Sequence, residues 1–227
     1  KNFEVKPFRN EYTDEKRINY VMSDRSGFVW ICVANVGLLK VNPADGKYEF
    51  FSSDKKSRIN LTNNNISQIF EDRTGNIWLT YWKGGIMCLE KETEKVLIEA
   101  PVGPSNNPFR IFQDSDGLYW ILTWGDGIYH MTMDSRNQLN VFQPKLTPSS
   151  SSIDKIVYSI AQDDKFGHVW VVSFSGLYVF QKNGTDVYDL IDGRSIVKKS
   201  SGEIYHDIYK DTFGNLWLGS LADGAYR

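Results

Sequence analysis

The chain has 227 residues, of which 41% are hydrophobic, and a formal net charge of −2 at pH 7. Its mean hydropathy of −0.40, together with these values, is typical of a soluble globular protein and excludes a disordered chain or a membrane span. Lysine and arginine are dispersed, so the charge pattern gives no reason to expect a nucleic acid or an anionic membrane as partner. Aromatic residues make up 14%, which favours strands because such side chains suit a half-buried pleated sheet.

One pattern, Asp-x-x-Gly-x-x-Trp, recurs five times at intervals of 42 to 50 residues. A second glycine follows each tryptophan by six or seven residues and precedes an apolar residue. A repeat of this length that holds four strand-like segments is typical of a β-propeller blade. The five copies are Asp24–Trp30, Asp72–Trp78, Asp114–Trp120, Asp164–Trp170 and Asp211–Trp217.

Each repeat predicts four short strands joined by turns. In the second repeat the strands are predicted at residues 66–70, 76–80, 86–89 and 95–98, and no segment shows a helical period. We therefore predict an all-β fold, a single β-propeller region over 1–227 with about five four-stranded blades. The predicted blades are 18–58, 66–101, 107–146, 156–191 and 203–227, with 1–17 as an orphan outer strand.

The two ends of the chain predict one further strand. The last repeat stops on its third strand, while residues 2–7 resemble the fourth-strand segment 140–144. Either this N-terminal strand completes the last blade and closes a five-bladed ring, which removes both sheet edges, or the chain is an excerpt of a larger propeller array.

These repeats resemble the two-component regulator propeller repeat, through the segments Ile69–Thr80 and Asp211–Ser220. The resemblance implies the periplasmic sensor region of a Bacteroides-type hybrid two-component system histidine kinase, where such propellers help to detect products of carbohydrate breakdown. It implies further blades and a kinase region in the parent chain, anchored in the inner membrane. The sequence departs from the family pattern at Val36, Asp126, Ser175 and Asp223, which replace the first glycine of a pair, and at Ala225, which replaces a leucine. The sialidase Asp-box is a weaker match because its usual Asp-to-Trp spacing is one residue shorter.

Residues that recur in every repeat are predicted to build the blades, because a single binding or catalytic site would not require the same residue in all five repeats. The aspartates are expected to cap turns by accepting backbone N–H groups, and the tryptophans to pack between adjacent blades. These structural residues are Asp24, Asp72, Asp114, Asp164, Asp211, Trp30, Trp78, Trp120, Trp170 and Trp217.

Ligand-binding residues are instead expected where the repeats differ. Loops between second and third strands share one face of the blades with the interblade connections, and we call this the variable face. Aromatic side chains there could stack on sugar rings or partner side chains, and polar ones could bind hydroxyls or a uronate carboxylate. The predicted contacts are Trp82, Trp124, Phe174, Tyr81, Lys83, Asp126, Asn35 and Arg110. Alternatively, Trp82 and Trp124 are buried covers of the strand ends, and the asparagines at 63–65, 106 and 107 are turn formers.

No catalytic, metal or cofactor motif is found in the sequence. His130, His168 and His206 occupy unrelated repeat positions, and Cys32 and Cys88 form neither a metal-binding nor a disulfide pattern. We therefore expect a non-catalytic sensor that binds an oligosaccharide and regulates genes for its use. The alternatives are a structural or homodimerisation module without a small ligand and, less favoured, a glycan-active hydrolase or lyase.

Overall fold

The computed structural model describes residues 7–90, 92–148, 152–193, 204–221 and 224–227. Within these ranges the chain forms strands and turns and no helix, which confirms the all-β prediction. Accordingly, no membrane-spanning helix is found in the described part of the chain. The predicted N-terminal strand at 2–7 lies outside the described residues except for Pro7, so closure of a ring stays a prediction.

The chain divides into two compact units, residues 1–99 and 100–227. The first unit holds two antiparallel four-stranded sheets, each with its strands paired in chain order. The first sheet consists of β1 (Ile18–Ser23), β2 (Val29–Val33), β3 (Gly37–Val41) and β4 (Tyr48–Phe51). The second sheet consists of β5 (Ile66–Glu71), β6 (Ile77–Tyr81), β7 (Gly85–Leu89) and β8 (Val96–Ala100).

The second unit holds three sheets whose strands pair antiparallel in chain order, except for one short parallel strand in the fourth sheet. The third sheet contains β9 (Pro108–Gln113), β10 (Tyr119–Thr123), β11 (Ile128–Met133) and β12 (Leu139–Phe142). The fourth contains β13 (Lys145–Leu146), β14 (Val157–Gln162), β15 (Val169–Ser173), β16 (Gly176–Lys182) and β17 (Val187–Asp192). The fifth contains β18 (Tyr205–Lys210), β19 (Leu216–Ser220) and β20 (Gly224–Tyr226). Five sheets of meandering strands are the blades of a β-propeller fold.

The short strand β13 gives the fourth sheet a fifth strand. It pairs in parallel with the outer strand β17, through Lys145 opposite Val187 and Leu146 opposite Tyr188. Thr147 extends this pairing, because its backbone N–H donates to the Tyr188 carbonyl at 3.0 Å. The segment that follows the third sheet therefore covers the outer edge of the fourth, which hides main-chain groups that could otherwise pair with another chain.

The cores lie between consecutive sheets within each unit. In the first unit, Trp30 and Phe51 of the first sheet pack with Ile66, Ile69 and Leu79 of the second. In the second unit, one cluster joins the third and fourth sheets and another joins the fourth and fifth. A middle strand that is covered on both faces is mostly apolar, as in β6, where all five residues are buried.

Candidate ligand-binding site

Four copies of the repeat form the same hairpin, in which the aspartate holds the tryptophan indole. The Oδ2 atom accepts a hydrogen bond from the tryptophan Nε1 six residues later, at 2.7 to 2.9 Å. The Oδ1 atom accepts backbone N–H groups across the turn, as at Asp114, where Asp116 and Leu118 each donate at 3.0 Å. Gly117 closes this turn with a φ of +88°, which a side chain would strain. The aspartates that act in this way are Asp24, Asp72, Asp114 and Asp211.

The fourth copy corrects the sequence prediction for Asp164. There, Asp163 accepts hydrogen bonds from the Trp170 Nε1 at 3.0 Å and the Phe166 backbone N–H at 2.7 Å. Gln162 pairs with Val169 across this hairpin, whereas the third hairpin pairs Gln113 with Tyr119, so the fourth turn is one residue longer. Asp164 is pushed outward, and its carboxylate instead accepts from the Lys210 amine at 2.7 Å.

The repeated tryptophans differ in burial. Trp30, Trp78 and Trp120 are buried, and Trp30 and Trp120 pack against the following sheet of their own unit. Trp170 is half-buried against the cluster between the fourth and fifth sheets. Trp217 differs, because 40% of its surface is exposed in the part of the chain that the structure describes. The predicted packing between adjacent sheets is therefore seen for Trp30, Trp120 and Trp170.

In the first unit, the structure corrects the prediction for Tyr81. Its side chain is fully buried in the core, so it cannot touch a ligand on the variable face. Trp82 is half-buried, whereas Lys83 and Asn35 are exposed at turns where they take positive φ values of +54° and +59°. The prediction from the sequence was wrong here because it assigned Tyr81 to the loop, whereas Tyr81 is the last residue of β6, all of whose residues are buried.

The asparagines of the connections mainly shape the backbone. Asn63 Oδ1 accepts from the Asn65 backbone N–H at 2.7 Å, and Asn64 Oδ1 accepts from the Ser53 N–H at 2.7 Å. In the second unit, Asn106 Oδ1 accepts from the Val102 N–H at 2.9 Å. Turn formation is the familiar role of such side chains and leaves them less free for a ligand.

Three aromatic side chains of the second unit lie at β-bulges in the first strands of their sheets. In β9, Arg110 pairs with Leu122 and Pro108 with Thr123, so Phe109 is the extra residue of a β-bulge. The same irregularity makes Tyr158 the extra residue of β14 and His206 that of β18. A bulge bends the strand and re-aims its side chains, a device found beside functional sites.

These three rings and Trp124 form one continuous set, which we call the aromatic row. Trp124 lies 5.9 Å from Phe109 and 5.5 Å from Tyr158 between ring centroids, and Tyr158 stacks on His206 at 5.1 Å. Trp124 follows the last residue of β10, and its exposed fraction of 37% leaves a large apolar surface uncovered. The row therefore offers flat rings at the variable face, where a sugar ring could stack.

The residues that follow the bulges form a second set, which we call the polar row. Arg110 Nη1 donates to Ser159 Oγ at 3.1 Å and to Asp207 Oδ1 at 3.2 Å. The Ser159 hydroxyl also donates to Asp207 Oδ1. The Arg110–Asp207 ion pair and the Ser159 hydroxyl together therefore connect the first strands of three sheets. They lie next to the aromatic row, because the Arg110 guanidinium is 5.7 Å from the Phe109 ring centroid.

Asp126 and Phe174 lie elsewhere on the same face. Asp126 accepts hydrogen bonds from the backbone N–H and the hydroxyl of Ser105, so it ties its turn to the preceding connection. Asp126 also lines a cavity of about 250 Å³ together with Gln143, Asp154 and others. Phe174 is 62% exposed, and no ring contact to it is found among the described residues.

The three histidines have different surroundings. His130 is fully buried among Trp120, Phe142 and Tyr188, and both its ring nitrogens lack a hydrogen-bond partner in the described part of the chain. Burial disfavours the imidazolium and lowers the pKa of His130 to about 4. His168 lies beside Asp163, and only His206 belongs to the aromatic row. Among the described residues no group of three or more His, Cys, Asp or Glu side chains could hold a metal ion.

Comparison with known proteins supports the repeat assignment. The family model described as two component regulator propeller matches residues 60–83, 103–125 and 198–222. A search of curated protein sequences finds no significant match.

Several solved structures share the fold at low sequence identity. Two are extracellular domains of proteins assigned as hybrid two-component systems of B. thetaiotaomicron. BT3049 is 17% identical with a TM-score of 0.65 over 94% of this chain, and BT4673 is 21% identical with a TM-score of 0.65 over 87%. The chain spans only 28% and 25% of those two chains.

A third similar structure is an enzyme, the virginiamycin B lyase of Staphylococcus aureus. It is 14% identical, with a TM-score of 0.66 over 94% of this chain and 66% of the lyase. At such identities, these likenesses establish the propeller fold and leave the activity to be argued from the site. Three segments of the chain therefore match the two component regulator propeller model, and the solved structures establish the propeller fold in which they lie.

Proposed function

We propose that this chain is a ligand-binding part of the extracytoplasmic sensor region of a hybrid two-component regulator, and that its aromatic row binds an oligosaccharide. The observation that carries the proposal is the exposure of Trp124 between Phe109 and Tyr158, with His206 stacked next to Tyr158. Water-exposed rings held on bulged strands are rigid platforms, and the C–H faces of sugar rings stack on such surfaces.

Binding here would be the first step of a signal. The polar row joins the first strands of three sheets, so a ligand that contacts it changes the free energy of one packing arrangement relative to another. Such a difference in affinity would bias a kinase region elsewhere in the parent polypeptide. Periplasmic location and anchoring to the inner membrane belong to the same proposal, which is supported by the family of the repeats.

The test is calorimetric titration of the chain with a panel of plant, host and microbial oligosaccharides. We expect saturable binding that is lost in Trp124→Ala and retained in Trp82→Ala, since Trp82 is half-buried in the first unit, outside the aromatic row. Circular dichroism would establish that both variants are folded. The absence of binding across the panel would contradict the proposal and favour a structural or dimerisation role.

A further inference from the structure

We infer that the oligosaccharide is neutral and that two adjacent hydroxyl groups of one sugar ring bind to Arg110 and Asp207. The inference rests on the proposed function, because it assigns a ligand class to the same site. Its starting point is the chemistry of the polar row, which lies one residue along each strand from the rings of Phe109, Tyr158 and His206.

Counting partners in the described part of the chain, the polar row keeps both donors and acceptors available. Arg110 uses only its Nη1 atom, so the N–H groups on Nε and Nη2 have no partner among the described residues. Asp207 accepts all its hydrogen bonds through Oδ1, and its Oδ2 atom has no partner within the same ranges. Solvent reaches both side chains, which are 26% and 53% exposed. A donor and an acceptor are thus presented side by side.

A pair of adjacent hydroxyls satisfies this arrangement. Each hydroxyl can both donate and accept, so one can accept from the Arg110 guanidinium while its neighbour donates to the Asp207 carboxylate. Hydrogen bonds to charged groups are roughly twice as strong as those between neutral groups, which favours this use of the two residues. Ser159 keeps the two side chains in place through its hydroxyl.

Charge balance decides against an acidic sugar. The polar row has one cation and one anion, joined at 3.2 Å, so its formal charge is zero. A ligand carboxylate that approached Arg110 would meet the Asp207 carboxylate already bound there. Like charges at such a distance repel each other, so we expect an acidic sugar to bind at least about tenfold more weakly than its neutral counterpart.

Matched tetrasaccharides test the inference, because each pair differs only in oxidation at C6. Suitable pairs are β-1,4-linked glucose and glucuronate, β-1,4-linked mannose and mannuronate, and α-1,4-linked galactose and galacturonate. We expect the neutral member of at least one pair to bind about tenfold or more tightly than the acidic member, with little dependence on salt because no net charge is neutralised.

The variant Asp207→Asn provides the matched control. The amide keeps an acceptor but removes the negative charge, so the acidic member of the pair should gain about tenfold in affinity and the preference for the neutral one should largely vanish. Tighter binding of an acidic member to the unmodified chain would overturn the inference and leave the proposed sensor role standing. No binding of any of these tetrasaccharides, together with no binding across the wider oligosaccharide panel, by the folded chain would overturn both.

Discussion

The corrected hairpin of the fourth repeat makes a sharp prediction about stability. Replacing Asp163 with alanine removes the acceptor of the Trp170 indole N–H and of the Phe166 backbone N–H. Two hydrogen bonds to a carboxylate contribute roughly 3 kcal/mol in all, since each is worth about 1.5 kcal/mol or more. Because the Asp163 side chain is only 14% exposed, water has little access to the two N–H groups that the alanine variant would leave without their acceptor.

The neighbouring substitution should be almost harmless. The Asp164 side chain is 65% exposed, and within the described ranges its only ion pair is with Lys210 at the surface. A surface ion pair contributes about 1 kcal/mol or less, so Asp164→Ala should lower the free energy of unfolding by no more than that. For a chain of this size, 1 kcal/mol shifts the midpoint of thermal unfolding by about 3 °C, so we expect losses of about 9 °C for Asp163→Ala and at most about 3 °C for Asp164→Ala.

Scanning calorimetry of the two variants beside wild type measures this difference. Asp114→Ala, in a hairpin of normal length, is a positive control and should resemble Asp163→Ala, because its carboxylate also holds an indole. A loss from Asp164→Ala equal to or larger than that from Asp163→Ala would refute the longer turn and restore the uniform repeat.

Three further predictions concern groups outside the candidate site. His130 is favoured as the neutral form in the fold, so its contribution to stability is complete above the unfolded pKa of about 6.5 and is lost as pH falls toward the folded value of about 4. Wild type should lose about 2 kcal/mol more between pH 7 and pH 5 than His130→Leu in urea unfolding, and equal losses would contradict this reasoning. Burial opposes ionisation of Glu94, but hydrogen bonds from Lys40 and Arg58 outweigh this effect and lower the pKa of Glu94. The stabilising effect of ionised Glu94 is therefore present above the unfolded pKa and lost as pH falls. Glu94→Gln should lower the midpoint temperature of unfolding at pH 7, and the difference from wild type should become smaller at pH 3. An equal difference at the two pH values would argue against the ion pair. Burial raises the pKa of the thiols of Cys32 and Cys88 to about 12, so a disulfide reagent should modify them only after unfolding, and rapid modification of the folded chain would be inconsistent with their burial.

The fold was predictable from the sequence because the same hairpin chemistry recurs in four of the five repeats. The Asp-x-x-Gly turn and the tryptophan that follows report a local hydrogen-bonded unit, which needs no distant partner to form. The departure at Asp164 could not be seen in this way, because residues 163 and 164 are both aspartates and the tryptophan keeps its spacing from the second one. Only the pairing of Gln162 with Val169 reveals the longer turn.

The candidate site was only partly predictable. Trp124 and Arg110 were proposed from their positions in the repeat, and the structure places them beside Phe109, Tyr158 and His206, which were not among the predicted ligand contacts. Phe109, Tyr158 and His206 lie within predicted strands, where alternation alone assigns them to one face or the other. The sequence did carry one signal, because these three residues occupy the same repeat position, five residues before the capping aspartate, and differ from one another there. Their direction is set by a β-bulge, which becomes visible only when the pairing with the partner strand is known.

The measurement that tests the central claim most directly compares the dissociation constant of the tightest-binding oligosaccharide for wild type, Tyr158→Ala and Phe174→Ala. Tyr158 lies between Trp124 and His206 in the aromatic row, whereas Phe174 is an exposed ring of the same fourth sheet, at a turn on the variable face. If the aromatic row is the binding surface, Tyr158→Ala weakens binding about tenfold or more and Phe174→Ala changes it by less than about twofold. Unchanged affinity in Tyr158→Ala, with the loss appearing in Phe174→Ala, would contradict the assignment and place the ligand at the exposed turns.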